Sequence, residues 1–204
     1  MAEKQVKPLK YSSLDGLSEK QLKEHHDVLY AGYVKKINEI EEKLKTADKS
    51  EANATYSLIR ELKHEQTFAA NGVKLHEGYF ENLGGDGEPY GDILDMINDD
   101  FGSFNNWKND LIAAGIAARG WVILGYDLDD DRLYNISCDL HNQGGVWNSI
   151  ALVILDVYEH AYFLDYATGR KSYIEVFLKN IDWEYVNSQV KKYDLVKRKA
   201  AQGG

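Results

Sequence analysis

Gly84-Gly85-Asp86-Gly87-Glu88-Pro89 is the stretch on which the reading of this 204-residue chain turns. Glycine and proline at that density break helix and strand alike, so the run reads as a linker between two unlike halves. Upstream, Ser18-Glu19-Lys20-Gln21 carries a capping box, with a hydroxyl to accept first-turn amides and Gln at the third helical position. From there Leu22, Leu29, Tyr33, Ile37, Ile40 and Leu44 recur at spacings of three, four or seven. This is the apolar stripe of an amphipathic helix of about 28 residues. A polar break from Thr46 to Asn53 follows, and a second helical pattern runs through Tyr56, Ile59, Leu62, Ala69, Val73 and Phe80.

Downstream of the linker the pattern changes. Ile93 to Ala118 reads as helix broken at Phe101-Gly102-Ser103. Trp121 to Tyr126 and Leu133 to Ser137 read as strands joined by an acidic turn, Asp127 to Asp131, and Ile150 to Leu155 as a buried strand. Helical patterns return at Tyr173 to Leu178 and Trp183 to Tyr193. The expected fold is α+β: an N-terminal antiparallel helical hairpin (1–88), then a C-terminal domain (89–204) with a small three-stranded antiparallel sheet flanked by helices. The acidic turn lacks the glycine and distal glutamate of an EF-hand loop, so it is expected to be a solvated hairpin turn.

Composition excludes several functions. Lys+Arg number 24 against 33 Asp+Glu, and the net charge of −9 speaks against a nucleic-acid partner. A single cysteine, Cys138, rules out an internal disulfide framework. No apolar run reaches the roughly 18 residues of a membrane span. The start, Met1 to Tyr11, has no apolar signal-peptide core. A cytoplasmic protein with no membrane partner is expected.

The six histidines carry the chemistry. His25 lies on the first apolar stripe, three after Leu22, and His76 on the second, three after Val73 and four before Phe80. Two antiparallel helices could bring these rings together. His26 is rotated about 100° from His25 on an α-helix and is expected to face solvent or a subunit boundary, and His64, among charged neighbours, to lie on the surface. Taken singly, a core-facing histidine is more often a hydrogen-bonded core residue than a ligand. Asp156 alters that balance: it ends the apolar run Ala151 to Leu155, with His160 four residues later. A carboxylate there is costly to bury as an ion without a cation. Three imidazoles and one carboxylate suit a redox-capable first-row metal.

With these residues in view, the chain resembles the iron/manganese superoxide dismutases from about Leu9 to Tyr193. Asp156-Val157-Tyr158-Glu159-His160-Ala161-Tyr162 is close to that family's Asp-Val-Trp-Glu-His-Ala-Tyr signature. His25-His26 with Tyr33, His76 with Tyr79-Phe80-Glu81-Asn82, Phe101-Gly102-Ser103-Phe104, Gly120-Trp121 and Ile181-Asp182-Trp183 follow in family order. The resemblance implies that His25, His76, Asp156 and His160 bind one iron or manganese ion per subunit, which disproportionates the superoxide anion. It implies that Tyr33 is a gateway phenol, that His141 hydrogen-bonds solvent on the metal, and that Trp121 and Trp183 wall the cavity. Arg170 would guide anions. Glu159 would pair with His160 of a second subunit and Tyr162 would extend that interface, in a homodimer, alone or paired into a tetramer. Since the net charge of −9 repels an anion at long range, attraction must come from a local positive funnel.

The sequence departs from the family pattern at several positions. Leu29 stands where most members carry an outer histidine, Tyr158 replaces Trp, Leu75 replaces a frequent Asn, and Arg119 precedes Gly120-Trp121 where Ser is usual. The glutamine of iron-type members is absent near Gly72. These leave the choice of metal open. They also leave an alternative: a dimeric metal-binding relative with little or no turnover.

Overall fold

The computed structural model describes residues 3–202. The first helical stretch is not uniform: α1 (Glu19–Lys23) passes into a π-helical segment (Glu24–Tyr30) and then α2 (Ala31–Thr46). A π-helix closes i→i+5 hydrogen bonds, so each turn holds more residues and the buried stripe slips by one. Leu22 and His25 are buried as the spacing predicts, but beyond them the buried residues are His26, Tyr30, Val34, Ile37 and Ile40. Leu29 and Tyr33 are only partly buried. The expected outward-facing His26 is therefore corrected: it is 5% exposed, its ring nitrogens reaching Asp27 Oδ1 at 2.7 Å and Lys7 O at 2.9 Å. His64 is on the surface as expected.

The capping box forms by half. Ser18 Oγ accepts from Gln21 N at 3.1 Å, but Ser18 N donates to Asp165 Oδ2 instead of to Gln21. Gln21 spends its amide on the far end of the chain, donating to His160 O at 2.6 Å and accepting from Leu164 N at 3.1 Å.

Helix α3 (Leu58–Glu81) opens on Ser57, whose hydroxyl accepts from Arg60 N, and packs along α2 to complete the hairpin. Tyr56 is outside that helix and exposed, contrary to the stripe read from the sequence. The segment 84–87 is not a free tether. Gly84 N and Gly85 N both donate to Asn180 O, and Asp182 N donates to Asn82 O. A Cβ on Gly85 would sit 2.3 Å from Ile181 O, so only glycine permits this approach.

Helices α4 (Gly91–Phe101) and α5 (Phe104–Ala117) break at Gly102, in left-handed conformation (φ 79°), as the sequence suggests. Three strands follow: β1 (Trp121–Asp127), β2 (Arg132–Cys138) and β3 (Ser149–Asp156). The antiparallel order is β2-β1-β3, with Trp121 opposite both Cys138 and Asp156. The start of β1 and the ends of β2 and β3 thus meet at one end of the sheet. The acidic turn is as expected except that Asp127 is buried, its Oδ1 accepting from Asp129 N and its Oδ2 from Tyr134 OH. A 3₁₀ turn (Glu159–Ala161), α6 (Phe163–Tyr166), α7 (Arg170–Lys179), α8 (Trp183–Lys192) and α9 (Leu195–Gln202) complete the chain, α6 and α9 being unforeseen. Helix α3 lies on β3: Ile154 N donates to Asn82 Oδ1 at 2.6 Å, and a Cβ on Gly78 would collide with Ile154 Cδ1. That close approach sets His76 beside the end of β3.

Candidate metal centre

Four side chains from four elements of the fold converge there. His25 comes from the π-helical segment, His76 from α3, Asp156 from the last residue of β3 and His160 from the following 3₁₀ turn. Their ligand atoms all lie within 4.8 Å of one another. Asp156 Oδ2 is the hub, 3.1 Å from His25 Nε2, 3.2 Å from His160 Nε2 and 3.7 Å from His76 Nε2. Two donors about 2.0–2.1 Å from a shared ion and 90–120° apart stand about 2.9–3.6 Å from each other, close to these separations.

The electrostatics ask for a cation. His76 Nδ1 contacts Gly72 O at 2.6 Å, and since a carbonyl only accepts, Nδ1 carries the proton and Nε2 a lone pair. That Nε2 is buried without a hydrogen-bond partner and faces a carboxylate oxygen, lone pair toward lone pair. His25 Nδ1 is likewise buried and unpartnered. Burial pushes the His76 imidazole down to about 3 and lowers that of His25. At Asp156 burial opposes charge, but the charge and hydrogen bond of His160 and the hydrogen bond of His25 prevail, holding the carboxyl below the usual range. Burial also works against charge on His160, yet Asp156 holds that imidazole above its ordinary value. Metal binding would expel the proton that His160 shares with Asp156, because imidazole ligates only when neutral. The donor set fits a redox metal.

Around the four, Trp121 Nε1 donates to His141 Nδ1 at 2.9 Å, and His141 Nε2 lies 2.7 Å from Tyr33 OH. The Trp121 and Tyr33 rings lie 5.0 and 5.2 Å from that of His76. Tyr158, which stands where the family has Trp, stacks on His160 at 5.1 Å and meets Trp121 and His141, forming a further wall of the site. Burial pushes its phenol up to about 12.

Other expected residues fall elsewhere. Trp183 is not brought to the cluster: its described ring contacts are Phe104 and Trp107, and its indole N–H donates to Gly87 O. Being one residue into α8, it serves the packing of the linker instead. Arg170 spends its guanidinium on Tyr162 OH (3.1 Å) and Ala118 O (2.7 Å). Glu159 is exposed beside His160 and makes no ion pair among the described residues. Gln21, Tyr79 and Tyr173, unsuspected from sequence, brace the site. Tyr173 OH donates to Asp156 O at 2.7 Å and accepts from Tyr79 OH at 3.2 Å.

A helical hairpin and a small antiparallel sheet that together hold three imidazoles and one carboxylate around a single point define a mononuclear redox metalloprotein. Residues 6–84 match the iron/manganese superoxide dismutase alpha-hairpin domain, and residues 89–189 match the C-terminal domain of the same enzymes. This chain belongs to the iron/manganese superoxide dismutase family. It is 46% identical over 189 residues to superoxide dismutase [Fe] of Aquifex aeolicus, covering 90% of this chain and 89% of that one. The superoxide dismutase [Fe] of Aquifex pyrophilus matches equally, 46% over 189 residues with the same coverage. Superoxide dismutase [Mn] of Haloarcula marismortui is 35% identical over 189 residues, 91% of each chain.

Proposed function

We propose that this protein is a superoxide dismutase in which His25, His76, Asp156 and His160 hold one iron or manganese ion per subunit. The observation that carries the ligand assignment is the buried, unpartnered Nε2 of His76 aimed at Asp156 Oδ2. The ion, when bound, supplies the reversible one-electron step that turns two superoxide anions and two protons into oxygen and hydrogen peroxide. The chain's own residues do the rest. Three neutral imidazoles and a single carboxylate leave a net positive site in both oxidation states, which favours an anion each time. Tyr33, whose phenol is raised by burial and the Asp156 charge, keeps its proton at the cavity mouth. Burial pushes His141 down to about 4, so it stays neutral beside the site. Trp121 and Tyr158 exclude water from the rings they cover. The bound Arg170 guanidinium adds positive charge near Tyr162 while fixing that residue.

A homodimer, alone or paired into a tetramer, completes this reading. Its support is the exposed Glu159 beside a His160 side chain that is 27% exposed, followed by the half-exposed Phe163 and Leu164. Glu159 would meet His160 of a second copy, with Tyr162 behind it. We place the boundary between the two domains at residues 88 and 89 and the protein in the cytoplasm. No helix among the described residues is long and apolar enough to cross a membrane.

The test is metal content and inhibition of cytochrome c reduction by a superoxide source, after separate reconstitution with iron and manganese. His76→Ala and Asp156→Ala are expected to lose metal and activity together. Near-normal metal in both would refute the ligand set. Full loading without inhibition would support the low-turnover alternative, to which Leu29 points.

A further inference from the structure

The hydrogen-bond chain Trp121–His141–Tyr33 allows only one arrangement of protons. An indole N–H donates and cannot accept, so His141 Nδ1, 2.9 Å from Trp121 Nε1, must present a lone pair. An imidazolium would set N–H against N–H there, so the geometry also requires a neutral ring. The one remaining proton sits on Nε2, and Nε2 is 2.7 Å from Tyr33 OH. The ring is packed against flipping by Phe68 at 4.5 Å, Tyr33 at 4.8 Å and Tyr158 at 5.4 Å. We propose that Trp121 is a positioning residue that locks His141 as its Nε2–H tautomer, committing that single proton to Tyr33 and making the Tyr33 hydroxyl the donor into the metal cavity.

The consequence is specific to a histidine at this position. A glutamine could accept from Trp121 through its oxygen and still offer two N–H donors, one for Tyr33 and one for the cavity. His141 has only one to give. Tyr33, having accepted it, turns its own proton away from His141. The part about the metal cavity rests on the superoxide dismutase reading, whereas the tautomer rests on geometry alone, and the two can fail separately.

Neutron diffraction from deuterium-exchanged crystals of the manganese-loaded protein reads the proton positions without reference to turnover. Deuterium on His141 Nε2, none on Nδ1, and a Tyr33 deuteron directed away from His141 are expected. Deuterium on Nδ1, or a Tyr33 deuteron on the line to Nε2, would overturn the proposal. Histidine 15N spectra of the metal-free chain provide the second reading. Tyr33→Phe should leave His141 wholly in the Nε2–H form, because Trp121 still holds Nδ1. Trp121→Phe should give a mixture of tautomers; a pure Nε2–H signal in that variant would show that Trp121 does not set the tautomer. Should Trp121→Phe fail to fold, the neutron map of the unaltered protein decides.

Discussion

Tyr173→Phe is the sharpest test of how Asp156 is held at the end of β3. Strand β3 is an edge strand, and Val157 N donates to Gly120 O, so the carbonyl of Asp156 points away from β1. Its described partner is Tyr173 OH at 2.7 Å, which also accepts from Tyr79 OH at 3.2 Å. All of this is buried, and burial lifts both phenols far above their ordinary value, so both remain protonated donors. Phenylalanine keeps the ring, stacked 4.7 Å from Tyr162, and removes only the oxygen. Two buried polar groups then lose a partner, at about 1–3 kcal/mol each, for a total near 4 kcal/mol. In a domain of this size that is roughly 8–16 °C of melting temperature. Tyr79→Phe is the control. It leaves the Tyr173–Asp156 bond intact and should cost no more than about 1.5 kcal/mol. Urea denaturation of both variants and the double variant measures the difference. If Tyr173→Phe costs no more than Tyr79→Phe, the bond to the Asp156 carbonyl contributes nothing and the reasoning fails.

In the metal-free protein, stability should fall on acidification from pH 6.5 to 5. The unfolded chain takes up a proton at His76 near pH 6.5, whereas the folded one refuses it until about 3, a loss of about 2 kcal/mol at pH 5. His25, also lowered, adds in the same sense, while the raised His160 contributes stability already complete below 6.5 and does not oppose it. Denaturation midpoints flat across this range would contradict the burial argument. Gly72→Ala should displace the Tyr33 ring, because its Cβ would stand 2.8 Å from Tyr33 Cδ1. The expected result is a several-fold lower turnover at unchanged metal content, and unchanged turnover would show that Tyr33 yields freely. Glu159→Ala should weaken the dimer and metal retention together, as followed by sedimentation and metal analysis over a dilution series. An unaltered dimer at the lowest concentration would separate Glu159 from the interface.

The capping serine, the glycine breaks and the short apolar runs of the strands are local features, and each acts through the backbone within a few residues. Sequence therefore determined the helical hairpin, the three strands and their order of appearance. It also singled out His25, His76, Asp156 and His160 as candidates, since a histidine on an apolar stripe and a carboxylate ending an apolar strand are chemically costly wherever they fold. Tertiary structure decided what depends on register and reach. The π-helical segment Glu24–Tyr30 shifted the buried face so that His26 and Tyr30 went inside in place of Leu29. Trp183 was drawn to Phe104 and Trp107, and Gln21 left its own helix end to hold His160 O. The proton on His141 was fixed by an indole twenty positions earlier in the chain. Periodicity assumes one helical geometry and sees only near neighbours. A hydrogen bond between distant residues is set by where the packed layers bring them, and only the fold contains that information.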